Sequence, residues 1–160
     1  MARIAERGMV LVVSLIILLA MTVIGLAGME ITSLEEKMTG SMRDRNVAFQ
    51  AAESALNEAE NFLENTRPLP DFTDKDGLLS ETGNWQTVNW ENNLAVALYE
   101  GPGFDNLALP SAYVIEKLDY ISHGVELGDA VTTDEYFRIT ARSQGLSGSA
   151  QVILQTVYKR

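Results

Sequence analysis

The chain has 160 residues and a formal net charge of −10, with twelve Lys and Arg scattered among twenty-two Asp and Glu. That length holds one modest domain plus a long helix, and an acidic chain without a basic stripe excludes nucleic acid as a partner, because phosphate binding needs clustered cations. With no cysteine, a disulfide scaffold, a thiolate metal site and a cysteine nucleophile are excluded as well.

Residues 1–8 form a short leader carrying Arg3 and Arg7, and the run Met9 to Met29 that follows has no charged residue. Spanning a bilayer takes about 20 apolar residues at about 1.5 Å per residue, so this run is long enough. Ser14 and Thr22 are tolerated there, since a helical hydroxyl bonds back to the preceding turn. The two arginines keep the leader on the cytoplasmic side and send Glu30 onward across the membrane. A secretory signal peptide has a shorter apolar region of about 7–15 residues and a small-residue cleavage site after it, so Ala27-Gly28-Met29 fits that alternative poorly. Gly8 instead stands directly before the apolar run, and a cut there leaves the helix on the mature protein.

A short basic leader, a glycine and then an apolar helix resemble the class III signal of type IV prepilins. The resemblance implies cleavage between Gly8 and Met9 by the prepilin peptidase, with N-methylation of Met9. One position departs from the pattern: the fifth mature residue, Glu in most pilins, is Val13. A carboxylate in hydrocarbon is costly unless it meets a neighbour's amine. Its replacement by Val13 removes that pairing and points away from a major pilin, towards a minor or initiating subunit.

No proline occurs before Pro68, so nothing stops the helix at Met29. Ile31, Leu34, Met38 and Met42, then Phe49, Ala52, Leu56, Ala59 and Leu63 beyond a polar gap near Arg45, recur at steps of three and four. This is the pattern of a helix with one buried face. Glu35, Lys37, Arg43, Asp44, Glu53, Glu58 and Glu60 fall on the other face. Asn65 to Pro68 is the expected stop, because the residue before a proline disfavours helix. A continuous helix from Met9 is roughly 80–85 Å long at 1.5 Å per residue, too long to hide in a small domain. Its first half needs lipid or neighbouring helices, and its second half has one face for a head. Gly25, Gly28 and Gly40 are soft points, each costing up to about 1 kcal/mol against Ala. The alternative is an anchor followed by a separate amphipathic helix, with a bend near Gly28 or Gly40.

Within this helix, Arg43 to Leu56 resembles the N-terminal region of PilX-type minor pilins, and Ala48-Phe49-Gln50-Ala51-Ala52-Glu53 is the most specific part. Together with Val13, the resemblance makes Phe49, Ala52, Glu53 and Leu56 the expected assembly residues. Small Ala positions permit close helix packing, and Phe49 with Leu56 is expected to anchor the buried face.

Residues 66–112 are punctuated by Pro68, Pro70, Gly77, Gly83, Gly101, Pro102, Gly103 and Pro110. They read as turns, with one short helix or strand between Trp90 and Tyr99. Trp85 and Trp90 are expected as core anchors rather than ligand platforms. Ala112 to Ile121, Tyr136 to Arg142 and Ala150 to Tyr158 alternate or nearly so and are rich in β-branched and aromatic residues, which predicts three strands. Phe137, Ile139 and Ala141 share one face, and Arg138, Thr140 and Arg142 the other. Ser143 to Ser149 supplies hairpin chemistry. The expected fold is α+β, an antiparallel meander packed on the second half of the long helix, as in type IV pilins. Phe137 to Gly145 and Val152 to Tyr158 also resemble the C-terminal sheet of PilX-type pilins. The organisation expected is a leader over 1–8, a transmembrane half-helix over 9–29, an amphipathic half-helix over 30–65 and a head over 66–160.

Nothing in the sequence points to catalysis. The single histidine, His123, reads as a turn residue, and one His without Cys leaves little for zinc. No G-x-S-x-G elbow, phosphate loop or dinucleotide fingerprint occurs. In the loop Asp71 to Gly77, Asp74, Asp76 and Gly77 match part of an EF-hand. The first ligand position, however, falls on Phe72, and Gly83 stands where the bidentate Glu belongs. A solvated turn is the reading, with Asp71, Asp74 and Asp76 as the calcium alternative. Glu126 to Glu135 reads as another solvated connection. The expectation is a non-enzymatic subunit without cofactor, sitting in the inner membrane with its head in the periplasm and joining a surface pilus. The implied partners are other minor pilins, the major pilin, the prepilin peptidase and a tip adhesin. The alternatives are a pseudopilin of a type II secretion system and a signal-anchored periplasmic binding module.

Overall fold

The computed structural model describes residues 3–80, 83–99, 101–104, 106–118 and 135–160, with side chains from Met9 onward. His123, the end of the first predicted strand at 119–121 and the acidic connection over 126–134 lie outside the described residues. The chain divides into two compact units, 1–42 and 43–160.

Helix α1 runs from Arg3 to Asn65. It passes through Gly25, Gly28 and Gly40 without leaving helical geometry, so the version with two separate helices is not what forms. Its end lies where the proline rule puts it. The Thr66 amide makes a last bond to the Phe62 carbonyl at 3.0 Å, and a cis Arg67–Pro68 peptide follows.

Among the described residues five strands follow: β1 (Leu78–Leu79), β2 (Ala97–Leu98), β3 (Ala112–Leu118), β4 (Tyr136–Gln144) and β5 (Gln151–Lys159). Strands β3, β4 and β5 are the predicted antiparallel meander, in register from Ala112↔Arg142 to Leu118↔Tyr136 and from Tyr136↔Lys159 to Gln144↔Gln151. On the far edge of β3, β1 pairs parallel at Ile115 and Glu116, and β2 pairs antiparallel at Ala112 and Tyr113. The second of these lies inside the stretch 90–99 where one short element is expected. Gly77 leads into β1 at a φ of 77°, and a Cβ there would stand 2.8 Å from both Ala97 and the Tyr113 carbonyl oxygen. Only glycine allows that approach.

In the unit 43–160 strand β3 is covered on both faces. On one face Tyr113, Ile115, Phe137, Ile139 and Ala141 pack with Ala55, Ala59 and Leu63 of α1 and with Leu78. On the other, Ala112 and Val114 pack with Leu79 and Val96, and Trp85, Val88, Trp90 and Leu98 close over them. Both tryptophans are half-buried cover over this cluster rather than the core anchors expected. Phe72 stacks on Phe137 with ring centroids 5.9 Å apart. Phe137, Ile139 and Ala141 face the helix as the alternation predicts. Thr140 on the opposite face is also fully buried, its hydroxyl accepting from the Gln155 amide at 2.9 Å.

One expectation is corrected. Phe49 does not anchor the buried face of α1; it is 46 % exposed. The buried stripe is Ala48, Ala51, Ala52, Ala55, Ala59 and Leu63. A row of methyl groups brings the helix backbone close to the sheet and leaves no room for a ring. Phe49, one residue and about 100° on from Ala48, is turned off that face. Leu56 is half-buried and packs at the margin of the cluster.

Candidate assembly surface

In the unit 1–42 every described side chain is exposed, from Met9 through Met42. The apolar run is long enough to cross a membrane. Its hydroxyls are turned inward on the helix: Ser14 donates to the Leu11 carbonyl at 2.9 Å and Thr22 to the Leu19 carbonyl at 2.8 Å. Val13 stands in this run, half exposed, with no carboxylate to satisfy. Beyond it Ile31, Leu34, Met38 and Met42 continue the apolar stripe and are exposed too. Nothing among the described residues covers that stripe, so it is a surface for lipid or for another chain.

The first buried side chain of α1 is Asp44, only 8 % exposed. It holds the β4–β5 turn. The Ser147 amide donates to its Oδ1 at 3.1 Å and the Ser147 hydroxyl to its Oδ2 at 2.5 Å. The turn is closed beneath by the Gly145 amide on the Ala150 carbonyl at 2.8 Å. A Cβ at Gly145 would collide with the Asp44 carboxylate, so the glycine is what lets the turn and the helix meet. The Ser147 hydroxyl, above all, and then its amide hold the Asp44 carboxyl below its ordinary value; burial opposes this, and the Leu146 and Ala150 amides add to the lowering. The sequence pattern puts Asp44 on the solvated face and misses this contact.

Two further polar joints are absent from the sequence reading. Glu116, buried in β3, accepts from the Trp85 amide at 2.7 Å and from Arg138 at 3.2 Å. It thereby ties the tryptophan segment to the sheet. The signal for half of this joint was present, since Glu116 and Arg138 are opposed in register. Ser111 and Ser143 share a buried hydroxyl bond at 2.9 Å.

Of the expected assembly residues, Ala52 is buried against the sheet, Leu56 is half-buried, and Phe49 and Glu53 face out. Phe49 lines a groove of about 370 Å³ with Arg45 and Asn46 on one wall and Gln151 to Leu154 of β5 on the other. A second cleft, of about 800 Å³, lies between Leu69 to Phe72 and Lys117, Glu135 and Arg160. Lys117 and Glu135 pair there at 2.9 Å, and Arg160 donates to the Thr66 carbonyl at 3.0 Å, so these three charges are tied into the fold.

The calcium alternative gains no support. Asp74 accepts from the Ser80 amide at 2.8 Å and the Ser80 hydroxyl at 2.9 Å, building a turn rather than a cage. Among the described residues no group of three or more acidic or histidine side chains is gathered to hold a metal ion.

Comparison with known families matches both ends of the chain. Residues 7–57 match PilX N-terminal, and residues 47–160 match Type IV pilus assembly protein PilX C-term. No curated protein and no solved structure gives a match. The two matches overlap on Val47 to Asn57, the helical turns that carry the alanine stripe and Phe49. With its exposed apolar helix, its helix-backed antiparallel sheet and family matches from residue 7 to residue 160, the chain belongs to the PilX family of type IV pilus assembly proteins, as a minor pilin.

Proposed function

We propose that this subunit primes or caps the type IV pilus. In this reading the prepilin peptidase removes residues 1–8 and Met9 is methylated. The helix waits in the inner membrane with the head in the periplasm, and assembly moves it from lipid into a bundle of pilin helices. The observation that carries the reading is the uncovered apolar stripe from Met9 to Met42, which includes Val13. A helix without a carboxylate at that position has no need of a neighbour's amine and is stable in lipid before any other subunit docks. Such a subunit suits initiation, or a tip that lacks a neighbour on one side. The head then contacts other minor pilins, the major pilin beneath and an adhesin.

Mass spectrometry tests both parts. The membrane-extracted protein should have lost Met1 to Gly8 and gained one methyl on Met9; a retained leader in cells with active peptidase removes the prepilin step. In sheared pili the subunit should be scarce relative to the major pilin. Equal abundance along the shaft overturns the priming or capping role.

A further inference from the structure

The two edges of the sheet are unlike. One is made of β1 and β2, each two residues long. The other is β5, nine residues long and paired only with β4 among the described residues. An edge strand presents a row of amides and carbonyls with no strand beside them, and proteins usually blunt it by shortness, proline, a bulge or inward charges. Strand β5 has none of these. It contains no proline, its register with β4 is unbroken over all nine residues, and its one charge, Lys159, stands at its end.

Of the exposed side chains of β5, Gln151, Gln155 and Lys159 are polar and Ile153 and Val157 are apolar. Ile153 is 42 % and Val157 57 % exposed on the face turned from the helix. Around the edge, the groove between Phe49 and Val152 to Leu154 is lined by apolar side chains together with Arg45, Asn46 and Gln151. The charge is equally uneven. Residues 136–160 hold Arg138, Arg142, Lys159 and Arg160 and not one Asp or Glu, in a chain of net charge −10. Within the fold Arg138 is paired with Glu116, Arg142 lies over the Trp90 ring and Arg160 is held on the Thr66 carbonyl, while Arg45 is exposed at the groove. No carboxylate lines the groove.

We infer that β5 is a docking edge for an extended, acidic and apolar segment of a different chain, which adds as a further strand. An extended backbone is the partner whose own amides and carbonyls match an open edge. Its apolar side chains, all on one face, cover Ile153 and Val157, and its carboxylates, on the other face, meet Arg45 at the Phe49 groove. A second copy of this chain fits less well, because edge-to-edge pairing sets two basic hairpins against each other. The inference does not depend on the priming role and survives its failure.

The test uses the full chain in zwitterionic micelles and a labelled peptide as long as β5 that alternates Glu with Val. Its counterpart replaces every Glu with Lys. The Glu peptide should bind saturably, at least about tenfold more tightly than the Lys peptide, and more weakly as salt screens the charges. Hydrogen exchange should slow along 151–159. Ile153→Lys, a change at an exposed position, should weaken binding about tenfold, since it removes an apolar cross-strand contact and adds an edge charge. If that variant alters the circular dichroism spectrum, Val157→Lys carries the same test. Equal binding of the two peptides, protection elsewhere than β5, or self-association through β5 in place of peptide binding each overturns the inference.

Discussion

Asp44 shows how a single residue escapes a pattern. Its neighbours Arg43 and Arg45 are exposed, and helical spacing alone assigns it to water. Its partner, Ser147, lies 103 residues further on, and no local periodicity reports a contact that distant. Because the carboxyl's folded value lies below the ordinary 3.8, its contribution to stability is complete above the unfolded value. It fades as pH falls through the folded one. Acid titration of the melting temperature should therefore show wild type losing stability below about pH 4, with a shallower loss in Asp44→Asn. Ser147→Ala keeps the amide donor and should fall between wild type and Asp44→Ala at neutral pH; no difference among the three would show that the turn is held by something else.

At the level of elements, legibility followed the number of covered faces. In β4 the residues facing the helix alternate with polar ones, so Phe137, Ile139 and Ala141 declared their side from sequence. Strand β3 is buried from Ala112 to Glu116 without alternation, because the Trp85 to Leu98 segment covers its second face. Strands β1 and β2 are two residues each and too short to carry a period. In α1 the spacing was right and the size assignment was not: the helix meets the sheet through alanines, and Phe49 is left over. Leu63→Ala should cost about 2–5 kcal/mol in denaturant unfolding, as a fully buried leucine does. Ala55→Leu should cost about 1–3 kcal/mol by overpacking the close approach. Phe49→Ala should stay within about 0.5 kcal/mol, the range of a surface change. A loss at Phe49 as large as that at Leu63 would show that the ring is packed after all.

Across the whole molecule, both ends were readable and the middle was not. The uncharged run and the C-terminal meander each have a strong local signature. Residues 66–112 have turn residues but little repeat, and their course is set by joints such as Glu116 with the Trp85 amide and Asp74 with Ser80. The departure at Val13 bears on assembly as a whole. Val13→Glu should leave piliation intact and should lower membrane insertion, by less than the about 2.5–3.5 kcal/mol that an acid costs at the helix centre, because residue 13 lies towards one end of the run Met9 to Met29. Insertion assays and counts of surface pili measure the two effects separately. A variant that assembles more pili than wild type would mean that the missing carboxylate limits this subunit.

The bond between Asp44 and Ser147 also sets a timetable. Part of the cover of the alanine face of α1 lies in β4, and the turn that Asp44 holds comes 103 residues after it in the chain. At about 5–20 residues per second, the roughly one hundred residues between them take on the order of 5–20 s to synthesise. Throughout that interval the turns of α1 beyond Met42 stay without their complete sheet. A face made of methyl groups offers little for stray chains to grip during the wait, whereas a stripe of leucines and rings would invite them.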